Sequence, residues 1–307
     1  MMKAIQYTSF GDSSVLKLVQ IEKPGFGENE VLIKITATTV NPLDIKIRTG
    51  SMQKVMPVQL PFIPGGDVSG TVEGVGKNVS RVKIGDKVFA NNFGGTYTEY
   101  ISIHEERVSI KPMGISDNEA VALVVPLITS YTVLIEKAKI RSGQKILIHG
   151  AAGGVGSIMV QMAKALGAYV IGTASGKGVA DAKQLGADEV VDYKTQDFTQ
   201  LVKNVDIVAD LVGKDTQVKS FDVLKKGGQL ISTVMPPSQE LAEKFGVTAL
   251  FVSSNASYKK LDFGKELVEA GKIKAQIAKT MKLEQAAEAQ DLIANAGVNG
   301  KIVLEIN

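Results

Sequence analysis

The sequence contains no cysteine, no tryptophan and only two histidines among its 307 residues. The missing thiols exclude disulfide bonds, thiolate metal ligands and a cysteine nucleophile. His149 lies inside a short apolar run and is interpreted as a core residue, whereas His104 lies in a polar segment typical of an exposed turn. Two isolated histidines without cysteine argue against a zinc site, so we predict no bound metal.

Blocks of charge and long apolar runs are also missing. The net charge of +3 is small for this length and no Lys/Arg cluster is present, so we expect no nucleic-acid partner. The first residues lack the apolar core of a signal peptide, and we expect no run of about 18 apolar residues that would cross a membrane. These absences favour a cytoplasmic protein without a membrane partner.

The most informative stretch that is present covers residues 145–167, where the pattern predicts a strand, a glycine-rich turn and a helix. Gly153 would let the backbone approach a pyrophosphate, and Gly156 would let the helix pack close to the strand. Ala151 stands where the dinucleotide-binding fingerprint has its first glycine. On the motif alone, a tight turn without a ligand is therefore an alternative interpretation.

Strand and helix patterns alternate from residue 145 to about residue 257. We predict strands at 145–149, 168–173, 189–193, 205–211, 228–233 and 247–252, and helices near 155–166, 178–185, 197–203, 215–225 and 238–245. Such alternation predicts parallel strands joined by right-handed crossovers. The whole pattern fits an α/β doubly wound parallel sheet, with its ligand at the carboxyl ends of the strands.

The remainder of the chain has a different pattern. Short strand-like runs broken by turn residues fill residues 1–120 and predict a β-rich sandwich or a partly open barrel. Residues 51–64 are predicted to be a loop, and Pro126 is predicted to separate two helices. The tail is expected to return to the first domain, with a helix near 259–270, a strand at Ile273–Ala278, a helix at Leu283–Asn295 and a strand at Lys301–Ile306.

The segment after the second strand of the alternating region bears on the coenzyme. An NAD site usually has Asp or Glu about 20 residues beyond the glycine turn, where it binds the ribose hydroxyls. Here Ser175 and Lys177 follow that strand, with no carboxylate beside them. A hydroxyl and an ammonium group bind a 2′-phosphate well, which favours NADPH over a merely polar loop. Asp210 either borders the cofactor ribose or caps a helix.

Several motifs together resemble one family, the medium-chain dehydrogenase/reductase superfamily, in its zinc-independent quinone oxidoreductase (zeta-crystallin-like) branch. The resemblance covers essentially the whole chain. It is carried by Val40–Asp44, Pro64–Gly70, Gly74–Gly76, Gly85–Val88, Gly95–Tyr100, Ala151–Gly156, Leu185–Asp188 and Gly300–Leu304. Zinc alcohol dehydrogenases have a Cys in place of Asn41, a His-Glu pair in place of Gly66-Asp67 and a Cys or His near Pro126, so every metal-ligand position is altered here.

The resemblance implies a GroES-like catalytic domain from residues 1–122 and 258–307, a Rossmann NADPH-binding domain from residues 123–257, and a cleft between them. It implies that Asn41, Asp44 and Thr129 are catalytic residues near the nicotinamide. It further implies that the cofactor contacts Ala152, Gly153, Gly154, Val155, Gly156, Thr173, Ser175, Lys177, Tyr193, Leu211, Val212, Phe251, Val252 and Lys301. Without the family, the alternative is that Asn41 is a turn-forming residue before Pro42 and that Asp44 orders that turn.

The resemblance also implies an enzyme that transfers hydride from NADPH to a quinone or to the C=C bond of an α,β-unsaturated carbonyl. A low-turnover NADPH-binding protein, crystallin-like or regulatory, is the alternative, and a polyketide-type enoyl reductase component is disfavoured. The relatives' tyrosine is missing from residues 50–54, so no side chain is an obvious proton donor. Relatives commonly dimerise through the edge strand, here residues 247–252, which is apolar enough to need covering.

Overall fold

The secondary structure of the computed structural model follows the predicted division into a β-rich part and an alternating part. The structure describes residues 1–295 and 297–306. The strands are β1 (Met2–Gln6), β2 (Lys17–Ile21), β3 (Glu30–Thr39), β4 (Asp67–Val75), β5 (Lys87–Asn91), β6 (Tyr100–His104), β7 (Val108–Ile110), β8 (Lys145–His149), β9 (Tyr169–Ala174), β10 (Glu189–Asp192), β11 (Val205–Asp210), β12 (Leu224–Ser232), β13 (Thr248–Phe251), β14 (Ile277–Lys282) and β15 (Lys301–Glu305). The α-helices are α1 (Pro42–Arg48), α2 (Asp117–Tyr131), α3 (Gly154–Ala165), α4 (Lys177–Gln184), α5 (Phe198–Leu201), α6 (Lys214–Lys219), α7 (Gln239–Phe245), α8 (Tyr258–Glu269) and α9 (Ala286–Ala294).

The chain divides into two compact units. The first unit is Met1–Val125, Ala256–Glu269 and Ala275–Asn307, and the second unit is Pro126–Asn255 with Ala270–Lys274. The bounds predicted from the sequence place Ala270–Lys274 in the first domain instead. In the structure, the Gln161 side chain accepts from Lys274 N at 2.9 Å and donates to Lys274 O at 3.0 Å, which ties that segment to the second unit.

The first unit is organised by a sheet in the order β14-β15-β3-β4-β5-β7, with β6 paired to β3. Its pairings are antiparallel except β14 with β15, which are parallel. Alternate residues of β3 (Val31, Ile33 and Ile35) lie on one face of the strand and belong to the core of this unit. Val303 of β15 pairs with Thr39 of β3, so the C-terminal tail returns to the first unit as predicted.

The second unit is built on a parallel sheet in the order β10-β9-β8-β11-β12-β13. The strand order reverses between β8 and β11, and such a switch point is where ligands bind at the carboxyl ends of the strands. Leu147, Ile171 and Val208 come from three adjacent strands and are buried together in the core of this unit. The predicted doubly wound fold is confirmed.

Helix α2 continues without a break through Pro126, so the prediction of two separate helices was wrong. A proline inside a helix removes one N–H donor and disturbs the preceding turn. Here the Val125 N–H donates to Oδ1 of Asp67 at 3.2 Å, which gives the backbone beside the proline an acceptor from outside the helix. A π-helical segment, Thr132–Lys137, follows α2 directly.

Among the described residues, the stretch Asp117–Lys137 is a single helix that is long and apolar enough to cross a membrane. No such segment is predicted from the sequence. Its most apolar window is 72% buried inside the protein, as the core helix of a folded domain also is. Length and composition of one helix are weak evidence for a membrane span.

Helix α1 was not predicted, because residues 41–44 were interpreted as a turn. Asn41 is the N-cap residue and Pro42 occupies the start of the helix. The Asp44 carboxylate accepts from Asn41 N at 2.8 Å, so Asp44 does order this turn, and the turn begins a helix. Proline at the first helical position and an acidic side chain two residues later are both helix-start signals, so the information was present in the sequence.

Two predicted strands are displaced along the chain. The strand predicted at Ile273–Ala278 is β14, which begins at Ile277 because it pairs in parallel with Lys301–Glu305. Among the strand-like runs of residues 1–120, Tyr97–Ser102 predicts a strand that the structure has as β6, whose pairing with Glu30–Lys34 of β3 extends it to His104. In both cases the partner strand sets the bounds, and local residue preferences do not contain that information.

Candidate cofactor and active site

The glycine turn that the sequence predicts to bind a pyrophosphate lies between β8 and α3, at the carboxyl end of the parallel sheet. Gly150 has a φ of +71°, a backbone conformation that favours glycine. A Cβ on Gly156 would lie 2.1 Å from the carbonyl oxygen of Gly150, so only glycine lets the helix start this close to the turn. Gly153 caps α3 without a side-chain acceptor. The amides of the first helical turn therefore remain available to bind an anion.

His149 directly precedes this turn. It is a buried core residue whose two ring nitrogens both have hydrogen-bond partners, as interpreted from the sequence. Its ring nitrogens lie 3.1 Å from Oγ1 of Thr173 and 2.9 Å from Oγ of Ser220. Thr173 in turn accepts from Gly150 N through Oγ1 at 3.3 Å and from Ala151 N through its carbonyl oxygen at 2.9 Å. Burial lowers the pKa of His149 to about 4, so the imidazole is neutral at physiological pH.

The predicted 2′-phosphate residues lie together at the carboxyl ends of β9 and β10. Ser175 Oγ donates to the Tyr193 hydroxyl at 2.9 Å, and Tyr193 N donates to Ala174 O at 3.1 Å. Lys177 begins α4 directly after Gly176, whose φ is +55°. The hydroxyl groups of Ser175 and Tyr193 and the start of α4 at Lys177 therefore lie at the carboxyl end of the sheet.

The loop after β11 is ordered by Asp210, whose side chain accepts from amides of the loop itself. It does not cap α6, because the N-cap residue of that helix is Gly213, with no side-chain acceptor. Asp210 Oδ1 accepts from Val212 N at 3.0 Å and from Gly213 N at 2.7 Å, and its Oδ2 accepts from Ser232 Oγ at 2.8 Å. The Asp210 carboxylate is therefore occupied by hydrogen bonds to the protein. The predicted cofactor contacts of this loop are Leu211 and Val212. Val212 is half exposed and lies beside Gly150, since a Cβ built on that glycine would be 3.5 Å from Val212 Cγ2.

The other predicted site residues of this unit lie in the glycine turn, at the carboxyl end of β13 and on α2. Ala152 is buried within the glycine turn. Phe251 ends β13 with its side chain half exposed, and Val252 follows it as a buried residue. Thr129 is buried on α2. These assignments remain predictions.

The first unit contains a buried polar cluster centred on Asp67, a residue that sequence reasoning noted only as an altered metal-ligand position. Asp67 is fully buried at the start of β4. Its Oδ2 accepts from Thr39 Oγ1, from Asn41 Nδ2 at 3.0 Å and from Lys301 Nζ at 3.3 Å, while Oδ1 accepts from Val125 N. Buried carboxylates are tolerated when they are paired and hydrogen bonded in this way.

Lys301 and Asn41, both predicted site residues, meet in this cluster. Lys301 Nζ donates to Asn41 Oδ1 at 2.5 Å and to the Val40 carbonyl oxygen at 3.3 Å, in addition to Asp67. The lysine is 5% exposed and the asparagine 8% exposed, so both groups are screened from bulk water. The predicted contact of Lys301 with the cofactor is not tested by this arrangement and stays a prediction.

Asp44 lies on the other side of Asn41, under α1. Besides Asn41 N, its Oδ2 accepts from the Tyr97 hydroxyl at 3.2 Å. Burial raises the pKa of the Asp44 carboxyl to about 7, and the hydrogen bond from Asn41 N opposes that rise. Burial also raises the pKa of Tyr97 well above its usual value, so the tyrosine stays protonated. Tyr97 was missed because only its place in the fold brings it to Asp44.

Within residues 1–295 and 297–306, no three His, Cys, Asp or Glu side chains are grouped so that they could hold a metal ion. The cation inside the Asp67 cluster is the ammonium group of Lys301.

A doubly wound sheet with an open helix N-terminus at its glycine turn is the architecture of a dinucleotide-binding protein. The β-rich first unit contains the buried polar cluster around Asp67. Two family models match the chain. The model described as an alcohol dehydrogenase GroES-like domain matches residues 27–113, and the model described as a zinc-binding dehydrogenase matches residues 185–304. The first match confirms the GroES-like character of the first unit.

Individual relatives match over almost the whole chain. A 2-methylene-furan-3-one reductase of Solanum lycopersicum is 35% identical over 99% of this chain and 79% of its own length. A human quinone oxidoreductase is 32% identical over 99% of this chain and 98% of its own. The structure of Escherichia coli quinone oxidoreductase complexed with NADPH superposes with a TM-score of 0.90 and 28% identity, over 99% of this chain and 100% of that one.

The chain belongs to the medium-chain dehydrogenase/reductase superfamily, in its zinc-independent quinone oxidoreductase branch, which confirms the resemblance seen in the sequence. It is an oxidoreductase that acts on a small molecule with a nicotinamide cofactor. The glycine turn fits that cofactor, because a side chain at Gly156 would collide with Gly150 and move the helix start away from it.

Proposed function

We propose that this protein transfers hydride from NADPH to quinones or to the C=C bond of α,β-unsaturated carbonyls, without a metal. The observation that carries the coenzyme choice is the hydroxyl pair of Ser175 and Tyr193 at the carboxyl ends of β9 and β10, with Lys177 at the start of the helix that follows β9. A phosphate has several acceptor oxygens and close to two negative charges, so hydroxyl and ammonium donors bind it strongly. The NADPH complex of the Escherichia coli relative supports the same choice.

Each part of the second unit has a role in holding the coenzyme. The amides at the start of α3 bind the pyrophosphate, and the His149–Thr173 pair keeps Gly150 and Ala151 in the conformation that exposes them. Val212 provides an apolar contact beside the glycine turn. Bound NADPH supplies the hydride. The protein contributes orientation and the exclusion of water.

The acceptor class follows from what the first unit offers. Reduction of a quinone or an enone places negative charge on a carbonyl oxygen, which must be stabilised by donors. Asn41 is an amide donor that lies buried beside a fixed ammonium group. The tomato and human relatives support conjugated carbonyl acceptors, since the first is a furanone reductase and the second a quinone oxidoreductase.

A panel of quinones, 2-alkenals and cyclic enones, each assayed with NADPH and with NADH, tests this function. We expect acceptor-dependent oxidation of NADPH above background and a clear preference over NADH. Binding of NADPH without turnover on any acceptor would instead support a low-turnover binding protein. Failure to bind either coenzyme would contradict both readings.

The coenzyme preference has a separate test in Lys177→Ala. Loss of the ammonium group should weaken NADPH binding by about 10-fold or more and leave NADH binding nearly unchanged, because a charge-assisted hydrogen bond to a phosphate is lost. The matched control is Lys183→Ala, an exposed lysine near the end of the same helix. An equal loss of affinity for the two coenzymes in Lys177→Ala would show that this lysine does not bind the 2′-phosphate.

We also propose a homodimer in which β13 pairs with its copy. This strand is the edge of the parallel sheet, and Phe251 is 49% exposed. Because Val252 N donates inward to Ser232 O at 2.9 Å, the alternation of a parallel ladder directs the Phe251 amide toward the free edge. Phe251→Pro removes that donor and should convert a dimer to a monomer in sedimentation equilibrium. A monomeric wild-type protein would contradict the proposal.

A further inference from the structure

Lys301 and Asp67 form an ion pair that is buried on both sides, with side-chain exposures of 7% and 0%. Such a pair is poor evidence for stability, because removing two charges from water costs about as much as their attraction returns. Stability therefore does not explain why this ion pair is buried. Both of its charged groups hydrogen bond to the side chain of Asn41.

We propose that Lys301 and Asp67 are positioning residues that hold and polarise the Asn41 side chain as the donor to the developing oxyanion. This inference rests on the proposed function, since it assigns the machinery behind Asn41 in that reaction. It makes Lys301 a residue that acts through Asn41, with no direct contact to the substrate.

The geometry determines how the Asn41 amide is oriented. Its Oδ1 accepts from Lys301 Nζ at 2.5 Å and its Nδ2 donates to Asp67 Oδ2 at 3.0 Å. Turning the amide over would place its NH₂ group against the ammonium and its oxygen against the carboxylate, so only one orientation is stable. One hydrogen of Nδ2 is used by Asp67, which leaves the second for an oxygen of the substrate.

The charge on Lys301 has an electronic consequence as well. A cation that binds the oxygen of an amide draws electron density from its nitrogen, so the remaining N–H becomes a stronger donor. The effect is large because the cluster is shielded from water, where charges interact more strongly. Lys301 itself has acceptors for all three of its Nζ hydrogens in Val40, Asn41 and Asp67, so it keeps none for the substrate.

The kinetic test compares the paired variant Lys301→Met/Asp67→Asn with Asn41→Ala. Lys301→Met alone would leave a buried carboxylate without its cation and risks misfolding, whereas the paired variant removes both charges. We expect the paired variant to lower kcat by about 100-fold, the cost of an impaired oxyanion donor. If Lys301 acts only through Asn41, in place of the coenzyme contact that the resemblance implies for it, the Kd for NADPH, measured by coenzyme fluorescence, stays unchanged.

Combining the variants shows whether Lys301 acts through Asn41. Adding Asn41→Ala to the paired variant should cause no further loss of kcat, because the donor is already misplaced. Independent, multiplying losses would overturn the proposal. So would a weaker affinity for NADPH with kcat preserved, since Lys301 would then contact the coenzyme directly.

A spectroscopic measurement separates this inference from the proposed function. The side-chain amide resonances of Asn41 can be assigned by their disappearance in Asn41→Ala, without any substrate. We expect them at unusual shifts in the wild type, returning toward ordinary values in the paired variant, with Lys301→Arg retaining part of the shift. Ordinary shifts in the wild type would overturn the inference even if the enzyme is active. An inactive wild type with shifted resonances would instead contradict only the proposed function.

Discussion

The ammonium nitrogen of Lys301 lies 2.5 Å from Oδ1 of Asn41, although 260 positions separate the two residues in the chain. The contact arises because β15, which begins with Lys301, pairs with the end of β3 just before Asn41. β15 therefore places the positive charge of Lys301 beside Asn41, the N-cap residue of α1. No local pattern in the sequence shows this relationship.

The buried ion pair has a testable consequence for stability. Lys301→Met should lower the free energy of unfolding by about 3–5 kcal/mol, because the Asp67 carboxylate then stays buried without its cation. The loss in Lys301→Met/Asp67→Asn should be smaller than the sum of the single losses by on the order of 1–3 kcal/mol. Urea unfolding of the wild type and the three variants gives all four values. Strict additivity would show that the two charges do not interact.

Asp44 should make the first unit less stable as the pH rises. Its folded pKa of about 7 lies above the ordinary value of 3.8, so the folded state binds the proton more tightly than the unfolded state does. The associated stability is complete below the ordinary value and is lost as the pH rises through about 7, by on the order of 4 kcal/mol for such a shift. The groups that face Asp44 are Tyr97, Tyr7, Asp67 and Lys301.

Asp44→Asn tests this dependence because its amide oxygen can still accept from Asn41 N. Relative to the wild type, the variant should gain stability above pH 7 and lose that advantage in acid. Urea unfolding across this range gives the comparison. The exposed Asp215→Asn serves as the matched control and should run parallel to the wild type. Parallel curves for Asp44→Asn as well would contradict the raised pKa.

His149 should act in the opposite direction in the second unit. Its folded pKa of about 4 lies below the ordinary value of 6.5, so the unfolded state binds the proton more tightly. The stability is complete above 6.5 and falls as the pH drops toward about 4, with a total loss of about 3 kcal/mol. His149→Gln should flatten this part of the pH–stability curve, whereas the exposed His104→Gln should leave it intact.

Gly156→Ala tests the fit of the coenzyme to the glycine turn. The added Cβ would lie 2.1 Å from Gly150 O and must push the start of α3 away from the turn. Binding of NADPH should weaken by about tenfold or more, since a tenfold change needs only about 1.4 kcal/mol. Gly25→Ala is the control, because a Cβ there meets nothing within 4 Å. Undiminished affinity in Gly156→Ala, measured by coenzyme fluorescence, would argue against pyrophosphate binding at this turn.

Local patterns were sufficient for the fold of the second unit. The run at residues 145–167 predicted a strand, a glycine turn and a helix, because glycine spacing and periodicity are properties of neighbouring residues. The same reasoning failed at Pro126, where the carboxylate of Asp67 supports the helix. It also missed α1, although Pro42 and Asp44 contain its start signals.

The sequence by itself determined the chemistry that is available to this protein: no thiolate ligands, a glycine turn without an acidic residue after the next strand, and an asparagine where zinc enzymes have a cysteine. Only the tertiary structure decided how the first unit uses its polar residues. Asn41, Asp67 and Lys301 lie on three different elements, and β-sheet pairing brings them into hydrogen-bond contact. Burial then sets their energetics, because a charge removed from water depends on the partners that the fold places around it.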